Sequence, residues 1–170
     1  MKGGYMEERR NNLQTWIAIA IGVAIIIGAV GSYARWWDLG YGIGSYSLAH
    51  WSGWISAVLI SVTVPLFVIL KRRSGIPYLV LLTSHVFINL VAFGLLTLHW
   101  AHHLGREFSP DWGTGLTMFL VISGMVLTGV IQRFRLVPKS QGNMRFIHRG
   151  LSLSLIIILP IHVLQNTGMI

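Results

Sequence analysis

Five long apolar runs restrict what this 170-residue chain can fold into more than any other feature. They can be drawn at about Leu13–Ala34, Leu48–Leu70, Pro77–Leu98, Trp112–Phe134 and Phe146–Leu164. Each is near the roughly 20 residues whose helical rise covers a 30 Å hydrocarbon core. A backbone in lipid must satisfy its own hydrogen bonds, so each run predicts a helix. The expectation is an all-α integral membrane protein: five transmembrane helices in a bundle, with residues 1–170 forming a single membrane domain. Pro77 falls in a first helical turn, where its missing N–H is harmless. Pro65 and Pro160 are interior and should bend their helices, which neighbours in a bundle tolerate. Ser32 and Ala34 resemble a small-x-small cleavage site, but the run before them is longer than a usual signal core, which favours a retained helix.

Composition agrees, at 54% hydrophobic and 11% charged residues with a mean hydropathy of +0.65. The formal charge of +8 could suggest a nucleic-acid partner. Its distribution argues against one, because no soluble basic domain exists to carry it. Eleven of the 13 basic residues fall on one side of the spans: Lys2, Arg9, Arg10, Lys71, Arg72, Arg73, Arg133, Arg135, Lys139, Arg145 and Arg149. Only Arg35 and Arg106 lie on the other. The positive-inside rule then predicts a multi-pass protein of the plasma membrane, with its amino terminus in the cytoplasm and Ile170 outside. Trp36, Trp37, Trp51, Trp54, Trp100 and Trp112 gather at the outer ends, as an interfacial aromatic belt would.

Polar residues are scarce in the spans, which makes the histidines conspicuous. His85 and His99 are separated by thirteen residues in the third span, and His148 and His162 repeat that separation in the fifth. Fourteen helical positions advance about 21 Å and leave only about 40° of net rotation. Each pair therefore shares one helix face at two depths. One span intervenes, so the two helices run in the same direction. Side by side, they bring His85 to His148 on the cytoplasmic side and His99 to His162 on the outer side.

Two imidazoles facing one another inside a bilayer suit a haem iron with two axial ligands. Zinc would want four ligands, and no acidic residue lies in these spans. The chain has no cysteine, which excludes thiolate sites, iron–sulfur clusters and covalent c-type haem. The expected cofactors are two haems b, one at each level. Ala92 is equidistant from His85 and His99. With Gly94, and with Gly150, Ser152 and Ser154 in the fifth span, it would leave room for porphyrin edges. Asn89, one turn above His85, is a candidate hydrogen-bond partner within the site. Arg145, Arg149 and Lys71 to Arg73 are candidates for the cytoplasmic propionates, and Arg106 or Arg35 for the outer ones. His102 and His103 are expected in a solvated outer loop, and His50 at an outer helix mouth beside Trp51, where it could border a quinone or acceptor pocket.

The paired histidines, thirteen residues apart on two helices with one span between them, resemble the two-haem membrane domains of the ferric reductase and NADPH oxidase superfamily. In those proteins the third and fifth spans carry the ligands. Respiratory cytochrome b and the small bacterial cytochromes b share the spacing. The resemblance covers about Leu48 to Leu164 and implies a transmembrane electron conduit, with an oxidoreductase activity linked to ferric iron, quinone or superoxide. It departs from the ferric reductases in having five spans rather than six, no cytoplasmic FAD and NAD(P)H domain, and no G-x-G-x-x-G fingerprint. The resemblance therefore implies membrane lipid plus a redox partner protein or quinone as partners. Two alternatives remain: a haem-free transporter using the histidines as a proton relay, and an anchor subunit whose haems serve assembly.

Overall fold

The structure is a computed structural model describing residues 2–73, 75–106 and 113–169, without the side chains of residues 2–11 and 106. Glu107, Asp111 and Trp112 lie outside the described residues, as do the side chains of Lys2, Arg9, Arg10 and Arg106. The helices are α1 (Lys2–Tyr33), α2 (Leu48–Arg73), α3 (Tyr78–Arg106), α4 (Thr114–Phe134) and α5 (Gln141–Asn166). All five are long and apolar enough to cross a membrane. Their outer surfaces bear Trp16, Ile26, Leu127, Phe146, Leu153, Ile156 and Ile157, each more than 60% exposed. Apolar surface on that scale is unsuited to water and marks faces that meet an apolar surrounding or partner.

The helices extend beyond the apolar runs where no breaker stops them. α3 continues past Leu98 because the next glycine is Gly105, which puts His102 and His103 on helix rather than in the expected loop. His102 is buried. Pro65 and Pro160 both lie inside continuous helices. α1 ends at Tyr33, and just beyond it Arg35 takes a left-handed φ of 61° while Trp36 N–H donates to Gly31 O at 2.8 Å. That conformation costs a non-glycine residue about 1–2 kcal/mol. It is offset by the guanidinium, which donates to Gly105 O at 3.2 and 2.7 Å and ties the outer ends of α1 and α3 together. A short hairpin, β1 (Gly42–Ile43) with β2 (Tyr46–Ser47), turns at Gly44 and leads directly into α2.

Packing is pairwise. α3 is flanked by α1 and α2, α5 lies along α4, and α3 meets α4 more lightly. Among the described residues, the two histidine helices, α3 and α5, do not pack closely on each other. The core between the two layers consists of Ile60, Ala92, Leu96, Met118, Ile122, Met125 and Leu155. Small residues let α1 and α3 approach: a Cβ on Gly28 would stand 3.0 Å from Leu98, and one on Gly94 would stand 3.0 Å from Ile25. Gly94 thus serves the α1 contact, not the space expected for a porphyrin edge. Ser56 is fully buried and its hydroxyl donates to Ala92 O at 2.7 Å, closing α2 onto α3. Ser56→Leu should overfill that contact and lower stability by about 1–3 kcal/mol, measurable as earlier denaturant unfolding in detergent.

Candidate functional site: four histidines at two levels

Helical periodicity brings His85, His99, His148 and His162 to the inside of the bundle, where all four rings are half-buried. His99 and His162 border one cavity of about 300 Å³ at the outer end, walled by α2, α3, α4 and α5. The two rings lie within electrostatic reach of each other, and so do those of His85 and His148 at the other level. His99 and His162 thus share the wall of one cavity. Between the levels, Ala92 is fully buried among Leu96, Met118 and Ile122.

Each ring is held through Nδ1. His99 Nδ1–H donates to Ala49 O on α2 at 2.9 Å. His148 Nδ1–H donates to Met125 O on α4 at 3.0 Å, with Thr128 Oγ1 3.1 Å away. His85 Nδ1 faces Asn89 Nδ2 at 3.3 Å, and His162 Nδ1 faces Asn166 Nδ2 at 3.2 Å and Thr114 Oγ1 at 3.2 Å. Engaging one ring nitrogen fixes the ring and directs ligation to the other, the arrangement that metal-bound histidines commonly show.

Glycines make room for three of the rings. A Cβ on Gly53 would stand 3.0 Å from His99 Nδ1, one on Gly115 3.4 Å from His162 Cε1, and one on Gly129 3.4 Å from His148 Cε1. Each glycine belongs to a helix adjacent to the ring it accommodates. His85 instead packs on the Phe67 ring, 4.5 Å between centroids. Sequence reasoning missed Gly53, Gly115, Gly129 and Asn166. Only Asn166 had a visible signal: His85 and His162 are both followed four residues later by asparagine.

The remaining residues divide. Asn89 supports His85 directly, its Nδ2 also donating to His85 O at 2.7 Å. Arg145 and Arg149 are exposed at the start of α5, as are Lys71, Arg72 and Arg73 at the end of α2, with Lys71 Nζ 5.3 Å from the Tyr78 ring centroid. Arg35 directs two of its donors to Gly105 O and does not line the outer cavity. Polar side chains bordering that cavity include His50, His103 and Tyr46. His50 and His103 have ring centroids 5.1 Å apart, and His103 lies 4.7 Å from His99. Ser152 and Ser154 donate to carbonyls of their own helix, and Gly150 has open space beside it.

No group of three or more His, Cys, Asp or Glu side chains able to hold a metal ion occurs among the described residues. His99 and His162 offer two imidazoles at the outer cavity. A haem iron asks for that donor set, and the glycine-cleared rings, the outer cavity and the looseness between α3 and α5 all fit such a group. Comparison of the chain with protein-family models, with curated proteins and with solved structures returns no match.

Proposed function

We propose that this protein is a b-type cytochrome of the plasma membrane that carries electrons between two haems stacked across the bilayer. His99 and His162 would hold the outer haem, and His85 and His148 the cytoplasmic one. The observation that carries the reading is the two-level pairing of four inward rings whose Nδ1 atoms are all engaged. When bound, each haem supplies a one-electron ferric–ferrous couple. The chain does the rest. The carbonyls of Ala49 and Met125, with Asn89 and Asn166, orient the rings. Ala92, Leu96, Met118 and Ile122 keep water from the level between them. Arg145, Arg149 and Lys71 to Arg73 offer positive charge to the cytoplasmic propionates.

The donor is a quinol or a flavin-linked protein, and the chain acts as a subunit or partner of that redox enzyme. Purified protein should give a pyridine haemochrome spectrum of b type with about two haems per chain, one per histidine pair. Colourless protein overturns the reading. The orientation has its own test. Single cysteines at Ser140 and Thr167 should react with an impermeant thiol reagent in intact cells only at Thr167, because basic loops stay in the cytoplasm.

One observation favours a second reading, a haem-free proton relay: the rings of His50, His103 and His99 form a contiguous series toward the outer face. A colourless protein that acidifies vesicles would support it.

A further inference from the structure

Both helix pairs of the bundle repeat their contacts from one level to the other. On α2 and α3 the ties recur at seven-residue steps: Ala49 O with His99 Nδ1 at 2.9 Å, Ser56 Oγ with Ala92 O at 2.7 Å, and the Thr63 backbone with His85. On α4 and α5 the repeat has the full interval between the histidines. α4 carries the dipeptide Thr–Gly at 114–115 and again at 128–129, fourteen positions apart, as His148 and His162 are on α5. Equal spacing on two neighbouring helices gives equal rise, so each Thr–Gly meets one ring.

The contacts repeat in kind. Thr114 Oγ1 lies 3.2 Å from His162 Nδ1, and Thr128 Oγ1 lies 3.1 Å from His148 Nδ1. A Cβ on Gly115 or Gly129 would stand 3.4 Å from Cε1 of the same ring. Both hydroxyls direct their own proton elsewhere: Thr114 to Gln165 Oε1 at 2.9 Å, and Thr128 to Gly124 O at 2.7 Å with Met125 O at 3.0 Å. With that proton committed, each oxygen is left to accept from the ring. A neutral imidazole that ligates through Nε2 carries its proton on Nδ1, so it needs an acceptor there. The Asn166 amide does not supply one at His162, because the atom facing the ring is its nitrogen, which donates to His162 O at 2.8 Å. At His148 the hydroxyl shares the proton with Met125 O, 3.0 Å from Nδ1.

We propose that Thr114 and Thr128 are the positioning residues of the α5 ligands, and that each sets the potential of its own haem separately. This rests on the two-haem reading. An acceptor on Nδ1–H makes the imidazole a stronger electron donor, which favours ferric over ferrous iron and holds the midpoint down. Both threonines act through the ring they face.

Redox titration of purified, haem-loaded Thr114→Val and Thr128→Val tests this, because valine keeps the β-branched shape and removes the hydroxyl. Each variant should keep about two haems and raise one midpoint. Thr114→Val should raise the outer midpoint, the one that His99→Leu removes, and Thr128→Val the other. Loss of one hydrogen bond is worth about fivefold in the ferric–ferrous equilibrium, or about 40 mV at 59 mV per tenfold. The shift should be smaller at His148, whose proton Met125 O still accepts. Thr114→Ser and Thr128→Ser keep the hydroxyl and should leave the midpoints where they were. Unmoved midpoints in the valine variants, midpoints that move together, or serine variants that behave like valine overturn the proposal. Should a valine variant lose its haem, the serine variant decides: haem retained with serine supports the hydroxyl, and haem lost with both overturns it. Protein that is colourless before any substitution is a separate result, which removes the functional reading itself.

Discussion

Replacing His99 by leucine is expected to reduce the haem content from about two per chain to about one, the remaining haem being the cytoplasmic one. His99 is tied to another helix through the 2.9 Å bond to Ala49 O. Its removal takes away both a ligand and the tie that fixes that ligand to α2. Leucine fills the vacated volume with apolar surface, so the bundle should persist while the outer site is lost. Redox titration checks the result directly: one of two midpoints should vanish and the other stay close to its original value. The same replacement at His148 should remove the other midpoint. Under the proposed reading, buried core residues such as Ala92 and Ile122 separate the two sites, so the two losses should be independent. Loss of both haems from either replacement would refute two separate levels.

Gly53→Val should produce nearly the same spectrum as His99→Leu, although residue 53 has no side chain that could touch a cofactor. The first added carbon alone would stand 3.0 Å from His99 Nδ1, tighter than most real contacts of that kind. Valine adds two methyl groups to it, and overpacking of this kind costs about 1–3 kcal/mol. Relief requires the ring to leave the Ala49 carbonyl, which abolishes the orientation of Nε2. Gly53→Ala should show a partial version, with a shifted outer midpoint and both haems present. Gly22→Val is the control, because nothing lies within 4 Å of a Cβ there. It should leave both midpoints in place. Unchanged spectra in Gly53→Val would mean that the rings are not confined by the neighbouring helix.

Several of these features could be read without coordinates. The apolar runs anticipated all five helices, and the spacing anticipated that His99 and His162 would face a common space. Other expectations failed for local reasons. His102 and His103 were expected in a loop because hydropathy falls after Leu98, yet helix propagation costs little where no glycine or proline interrupts, and α3 runs on to Arg106. Gly94 was expected beside a porphyrin, but its small size serves the approach of α1. Arg35 was expected to offer charge to the outer site, but its left-handed backbone turns the guanidinium to the end of α3.

The division follows from where each partner lies. Periodicity along one helix is a property of that helix, so the sequence by itself determined how many rods there are, which faces carry imidazoles and at what depth. The acceptors at Ala49 O and Met125 O, and the clearances at Gly53, Gly115 and Gly129, belong to different helices from the rings they serve. Backbone carbonyls carry no residue identity, and a glycine inside an apolar run looks the same whether it faces lipid or a ring. Only the packing of α2 on α3 and of α4 on α5 decided which of them meet a histidine, and with that which nitrogen each ring can offer to a metal.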